Sequence, residues 1–307
     1  MELHRPSGRR ALGLALAATT MLLWGVLPLA LRRALRDVDP LSLTAFRFAT
    51  SAVVLGPALA ATGRLPAVSR LAGGGWRLLA VATLGLASNY LGFLLGLDHT
   101  SPADAQVLIQ LGPLLLATGG IAVFRERFTP AQWLGFAILV AGLGGFFASR
   151  LASVGSAPGR YLAGVAWIAF AAATWALYGL AQKQLLQQLS SQGVMLCIYA
   201  GCALLFALGA HPSAFAHLSP ASWAILAFCA ANTLVAYGAF AAALQHWEAS
   251  RVSAVLALTP FATIAFAAAV ARIAPAAFAA ERLSAGSWVG AGAVVVGSLL
   301  TALGRGK

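Results

Sequence analysis

The side chains able to do chemistry in this 307-residue chain are few, and their placement is the first clue to its function. All eight carboxylates, Glu2, Asp37, Asp39, Asp98, Asp104, Glu126, Glu248 and Glu281, fall near the ends of apolar stretches and none in the middle of one. Exchange of a lipophilic cation for protons calls for a buried, titratable acid. Catalysis inside a membrane calls for acids, histidines or a metal gathered at one depth. Neither pattern is present. Histidine is the side chain type suited to proton exchange near neutral pH, so His99 and His246 are the candidates for any proton linkage, although a capping or interfacial role also accounts for them. Asp104 and Glu248 lie in or just before a first helical turn, where an acid complements the helix dipole, and capping is enough to explain them. Cys197, Cys202 and Cys229 sit inside apolar stretches without disulfide or metal-ligand spacing, so no metal site and no cofactor are expected. A Walker-type phosphate loop is also missing, which argues against direct ATP coupling.

What the apolar stretches do carry is mostly neutral. Trp24, Asn89, Tyr90, Gln106, Gln110, Trp175, Tyr178, Tyr199 and Tyr237 lie at depth, and together they could line a substrate path. Gln106 and Gln110 are four apart and share one helix face. Such a face hydrogen-bonds an α-amino or α-carboxyl group, while the rings accept an apolar side chain or a cation face-on. The competing reading is that interior amides join helices and that Trp and Tyr at span ends form interfacial belts. Trp76, Trp133, Trp223 and Trp288 all begin spans and are assigned to the belt. Arg47 lies seven residues past Pro40, roughly 10 Å into its span, where a cation is costly and functional by default. It admits two roles, pairing with a substrate carboxylate or holding the fold or a gate together. Pro113 and Pro260 lie near the middle of their spans. Each removes one N–H and loosens the carbonyl four residues earlier, at Ile109 and Leu256, predicting kinks beside the pathway.

The elements that must position these groups are membrane helices. Sixty per cent of the chain is hydrophobic (60%) and only 9% is charged, against about a quarter charged in soluble domains. Stretches of about 20 apolar residues, enough to cross a bilayer, predict ten helices. The first five run over about 11–31, 40–62, 76–97, 102–124 and 130–149, the second five over 161–182, 193–210, 221–244, 249–273 and 286–303. The first is read as an uncleaved span rather than a signal peptide. Lys and Arg are in excess on the face that holds the N-terminus, the loops following even-numbered spans and the C-terminus, which predicts both termini to be cytoplasmic. Arg32, Arg33 and Arg36 form a basic cluster against this trend. The net charge of +12 thus reports topology rather than nucleic-acid binding.

The two halves repeat. A shift of 147 brings Tyr90 onto Tyr237, Phe93 onto Phe240, His99 onto His246 and Pro113 onto Pro260 without a gap. A shift of 155 brings Glu126-Arg127-Phe128-Thr129 and Trp133-Leu134-Gly135 onto Glu281-Arg282-Leu283-Ser284 and Trp288-Val289-Gly290. Five helices per copy is an odd number, so the second copy, 151–307, is inverted in the membrane relative to the first, 1–150. Inverted repeats with a site near the midplane are the plan of alternating-access transporters. The fold class is all-α integral membrane, with ten transmembrane helices in two inverted five-helix repeats. Gly92 with Gly96 and Gly286 with Gly290 permit close helix contacts, internal or between copies; the sequence is silent on oligomeric state.

These residues carry a family resemblance over essentially the whole chain. The duplicated ten-helix plan resembles the drug/metabolite transporter superfamily with two EamA-type repeats. The Glu-Arg, Thr/Ser, Trp and Gly pattern at Glu126–Gly135 and Glu281–Gly290 is its most recognisable element. Arg47-Phe48 looks like that family's first repeat, whereas the second has Ile198-Tyr199 there. Within the superfamily the chain is similar to the YddG-type amino-acid exporters. The resemblance implies a secondary transporter of the bacterial inner membrane, exporting amino acids including aromatic ones, with small metabolites and the bilayer as its partners. A multidrug carrier, a nucleotide-sugar-like carrier and a membrane-embedded enzyme are the alternatives.

Overall fold

In a computed structural model, residues 9–71, 74–124, 129–153, 158–246, 252, 255–273 and 283–303 are described. Proline and short polar caps start the helices. Asp39 accepts the Leu41 and Ser42 amides, each at 3.0 Å, ahead of α2 (Pro40–Ala61). Ser101 and Ser190 cap α4 (Pro102–Leu108) and α8 (Ser191–Ala207) in the same way. Pro also opens α6 (Pro130–Ser153), α7 (Pro158–Leu185) and α9 (Pro220–His246), at the position where its missing N–H has no intrahelical partner to lose. The others are α1 (Arg10–Ala34), α3 (Gly75–His99), α5 (Leu111–Phe124), α10 (Thr259–Ile273) and α11 (Ala285–Leu303). Six of them, α1, α2, α3, α6, α7 and α9, are each long and apolar enough to cross a membrane. Lipid-facing residues such as Leu204, Val289 and Val53 are at least 70% exposed.

The predicted fourth span differs from expectation in being two helices, α4 and α5, parted at 109–110. The ninth is likewise interrupted, by a turn at 257–258 just before α10. The breaks lie three to four residues ahead of Pro113 and two to three ahead of Pro260, where the proline ring clears the carbonyl it would have faced. The two freed carbonyls are then satisfied locally: Ile109 O accepts the Gly112 amide at 2.8 Å, and Leu256 O accepts the Thr259 hydroxyl at 2.5 Å.

Helix pairing follows a two-fold plan. α1 packs on α9 as α7 packs on α3, and α10 packs on α1 as α5 packs on α7, while α2 meets α8 and α6 meets α11. Exchanging the repeats converts each pairing into another or into itself. Small residues set the close contacts. A Cβ added to Gly85 would lie 3.0 Å from the Thr174 carbonyl, and Gly92 and Gly96 also face α7. Gly290 sits on the Phe146 backbone, and Gly286 beside Ser149, so both glycine pairs serve contacts within the chain.

The two ends of the bundle are packed differently. At the face where α3 turns into α4, one continuous apolar cluster joins Leu31, Leu43, Leu94, Leu97, Leu108, Ile168 and Leu226 from six helices of both repeats. Toward the opposite face the core divides. Leu79, Leu185, Val194 and Met195 belong to one cluster, and Ala17, Ala243 and Val252 to another.

The arginines that run against the charge bias have structural partners. Arg32 donates to the carbonyls of Leu97, at 2.7 Å, and Thr100 at the end of α3. Arg33 pairs with Asp37 at 2.6 Å, and Asp37 also accepts the Ser222 hydroxyl at 2.6 Å. That hydroxyl, with Arg33 beside it, holds the Asp37 carboxyl below its ordinary value. Burial pushes Asp39 up, but hydrogen bonds from Ser42 and Leu41 outweigh it and leave that carboxyl lowered too.

Two predictions follow from this packing. Gly290→Ala places a methyl 2.5 Å from the Phe146 amide nitrogen and should cost about 1–3 kcal/mol, read as a lower Tm in detergent. Gly144→Ala, where a Cβ meets nothing within 4 Å, should leave Tm unchanged. Because the Asp37 pKa is depressed on folding, its contribution is complete above the unfolded carboxylate value of about 3.9 and is lost as pH falls through the lower folded value. Hydrogen exchange at the α1–α2 and α8–α9 connections should therefore quicken below about pH 4, and Asp37→Asn should flatten that dependence.

Candidate functional site

Where the two repeats meet near mid-span, α1, α2, α3, α8 and α9 bring five of the predicted residues together. Arg47 of α2 is 3% exposed. Its Nε donates to Thr233 Oγ1 of α9 at 3.0 Å, and its Cζ lies 4.6 Å from the centre of the Tyr90 ring of α3. Tyr90 in turn packs against Phe48 at 4.5 Å and stacks with Tyr237 at 6.4 Å between centroids. Trp24 of α1 meets Tyr237 edge-on at 5.3 Å. Tyr199 of α8 donates its hydroxyl to the Thr233 carbonyl at 3.4 Å. Trp24 and Tyr237 keep partial exposure here, whereas Arg47, Tyr90 and Tyr199 are buried.

The arrangement is unusual electrostatically. Among the described residues Arg47 forms no ion pair, and Nε is its one hydrogen-bonded nitrogen. A guanidinium has five N–H donors, so its two terminal amino groups have no acceptor among the described residues, at a depth where an uncompensated charge is costly. The Tyr90 face offsets part of that cost.

The other predicted residues fall elsewhere. Gln106 on α4 and Gln110 in the break are both 7% exposed, and neither amide bonds another described residue. Trp175 lies beside that same break, since a Cβ on Gly112 would meet its ring at 3.2 Å. Pro113 is exposed and Pro260 buried. Tyr178 donates to the Met195 sulfur at 3.4 Å, within the α3–α7–α8 core. Asn89 spends its amide on the Ala171 carbonyl at 2.8 Å and so ties α3 to α7 instead of facing Arg47. Asn232 does the same from α9 to α1, through the Leu23 carbonyl at 2.7 Å. His99, at the end of α3, bonds the Leu95 carbonyl through Nδ1 at 2.8 Å, and His246 ends α9. The side chain of Lys183 and all of Glu126, Glu248 and Glu281 lie outside the described residues.

Sequence reasoning missed two participants. Thr233, the partner of Arg47, was signalled only by its adjacency to Asn232 in mid-span. Asp104 is more than a cap: Arg150 holds it through Nε at 2.5 Å and Nη2 at 2.7 Å. That pairing joins residues 46 apart in sequence and has no local signature.

Two inverted halves enclosing a polar site at mid-span define the transporter class, and comparison with known proteins specifies it. The EamA-like transporter family matches residues 11–148 and again 162–303. The chain is 36% identical over 295 residues to YhbE of Escherichia coli (strain K12), named an uncharacterized inner membrane transporter, covering 96% of this chain and 92% of that one. It is 35% identical over 294 residues to an uncharacterized transporter of Haemophilus influenzae, covering 96% and 95% of the two chains. A protein of known crystal structure shares the fold, with a TM-score of 0.65 and 21% identity over 96% of each chain. The chain belongs to the EamA-like transporter family, within the drug/metabolite transporter superfamily. It is a multi-pass membrane protein, and its relatives are transporters rather than enzymes.

The two roles open to Arg47 predict opposite stabilities. If its charge waits for a substrate, Arg47→Met removes an uncompensated buried cation and should stabilise the protein by about 1–4 kcal/mol, read as a higher Tm in detergent. A fall in Tm would make Arg47 a structural residue.

Proposed function

We propose that the protein is a secondary transporter of amino acids, aromatic ones included, moving them outward across the inner membrane by alternating access. The reading rests on Arg47, a buried guanidinium with terminal donors unused by the described residues. A carboxylate is the natural acceptor for such a fork. The rings of Trp24, Tyr90, Tyr199 and Tyr237 suit an apolar or aromatic side chain, and the neutral amides of Gln106 and Gln110 suit an α-amino group. A phosphorylated substrate would ask for several basic groups, and Arg47 is the one basic side chain that the described residues place among these rings. A lipophilic cation would meet Arg47 with like charge.

In this reading the termini are cytoplasmic, so the α3–α4 face with its continuous core is periplasmic, and the divided core faces the cytoplasm. Rocking of the halves about the paired breaks before Pro113 and Pro260 exchanges the two states. His99 and His246 are the groups through which a pH gradient would act.

The test is uptake of a radiolabelled amino-acid panel into proteoliposomes, with and without a pH gradient. Saturable uptake of carboxylate-bearing amino acids is expected, with their carboxamide analogues transported at least tenfold less well. Arg47→Gln should remove that distinction; equal handling of acids and amides by the unaltered protein would sink the assignment. Pro113→Ala and Pro260→Ala should slow uptake more than they lower the amount of folded protein, and equal losses would reduce the breaks to a folding role.

A further inference from the structure

The short helix α4 is held at both ends by devices of different kinds. Its inner end is the break at 109–110. Its outer end carries Asp104, only 1% exposed and gripped by two nitrogens of Arg150 from the end of α6. Ser101 donates to the same carboxylate at 2.8 Å. Neither helix requires the pair in order to form, since α4 is capped by Ser101 and started by Pro102, and α6 is fixed to α11 through Gly135 and Gly142. Between its ends α4 packs chiefly on α10, α1, α7 and α3, with Ala105 and Leu108 in the larger cluster of that face, and it touches α6 and α11 through Val107, in a small cluster with Phe146, Ala291 and Val294. The contact therefore combines one charged grip with one apolar knob on a segment that has a hinge behind it.

The inverted repeat lacks a counterpart. The shift of 147 places Arg251 at the position of Asp104, and the shift of 155 places Arg305 at that of Arg150. The matched positions are thus both basic, and the sequence of the second repeat cannot supply the same pair.

We propose that Asp104 and Arg150 form a latch that holds α4 closed over the α3–α4 face, and that this face opens only when the pair parts. The inference rests on the alternating-access reading but not on the identity of the substrate. A bidentate guanidinium–carboxylate pair suits such a latch, because its strength depends on geometry and falls away once one helix swings. The resting state it favours is the one with that face sealed and the other divided.

The test reads accessibility and needs no substrate. In a chain with Cys197, Cys202 and Cys229 replaced by Ala, Gln110→Cys serves as the reporter. Arg160→Cys, at a side chain 64% exposed beside Asp98 on the α3–α4 face, marks that face in a parallel variant. Labelling uses a membrane-impermeant maleimide on intact cells and on inverted vesicles. With the latch intact, the reporter should react from the face opposite the marker. Asp104→Asn should raise its reaction from the marker's face at least tenfold, a shift of about 1.4 kcal/mol between the two states. The exchanged pair, Asp104→Arg with Arg150→Asp, should return it toward the original pattern. If Asp104→Asn fails to fold, Arg150→Lys, which keeps the charge but not the two-point grip, should give a severalfold rise. No rise from the marker's face in either folded variant, or an exchanged pair as reactive as Asp104→Asn, overturns the latch. Failure of amino-acid uptake by the protein with Gln110 unaltered, with this labelling pattern intact, would reject the substrate and leave the latch standing.

Discussion

The fold depends on one constraint, that a polar group placed in hydrocarbon must find its partner within the protein. The helices satisfy their own interiors, and the departures from regularity show how the remainder is met. Pro28 interrupts the hydrogen bonding of α1, and the carbonyls around that point accept side chains from neighbours, Leu23 O from Asn232 and Gly25 O from Thr263 at 2.8 Å. Arg32 closes the carbonyl end of α3. Thr259 and Gly112 serve the carbonyls that the central prolines free. Against this economy the terminal nitrogens of Arg47 are an exception, and the exception falls where both repeats meet. A charge whose terminal nitrogens find no acceptor among the described residues at such a point is what a site built for a ligand group of opposite charge would contain.

The architecture was legible because it follows from composition and period. Apolar length located the spans, and the shift that pairs Tyr90 with Tyr237 identified the inversion on which the two-fold helix pairing rests. Placing the breaks near Ile109 and Leu256 required only the geometry of a proline ring. That the fourth and ninth spans would be interrupted rather than kinked was not legible, since this depends on Gly112 and Thr259 respectively taking over the freed carbonyls. Asp104 was misread for a related reason. A carboxylate in a first turn always has a local explanation, and that explanation hid a partner on another helix. Arg32 and Arg33 looked like topology signals out of place, whereas they serve a helix end and the Asp37 carboxylate. The glycine pairs were ambiguous because small residues at four-residue spacing suit contacts within a chain as well as between chains.

Within the site, legibility followed the same division. Tyr90 and Tyr237 could be paired by the repeat, and Trp24 and Tyr199 join them as rings at the same depth. Asn89 could not be told from a ligand-facing amide, because an amide that joins helices and one that binds a substrate differ only in direction. One turn along the matched helix, Asn232 makes the equivalent bond to α1, so both repeats use an amide to fasten the central helix to its partner.

The skeleton is symmetric and the charges are not. The pairing of helices is preserved when the repeats are exchanged, the symmetry that two related arrangements of one framework would use. Arg47 has no counterpart beside Tyr199, and the positions matching Asp104 and Arg150 are both arginine. In the alternating-access reading the backbone therefore defines the two end states while the side chains set their relative energies. A strictly symmetric molecule would occupy both equally and would receive its ligand equally well from either side. In the proposed reading, the Asp104–Arg150 pair at one face and the cation of Arg47 at the centre would bias the empty protein toward a single orientation, and a ligand that neutralises the central charge would act on that bias from within.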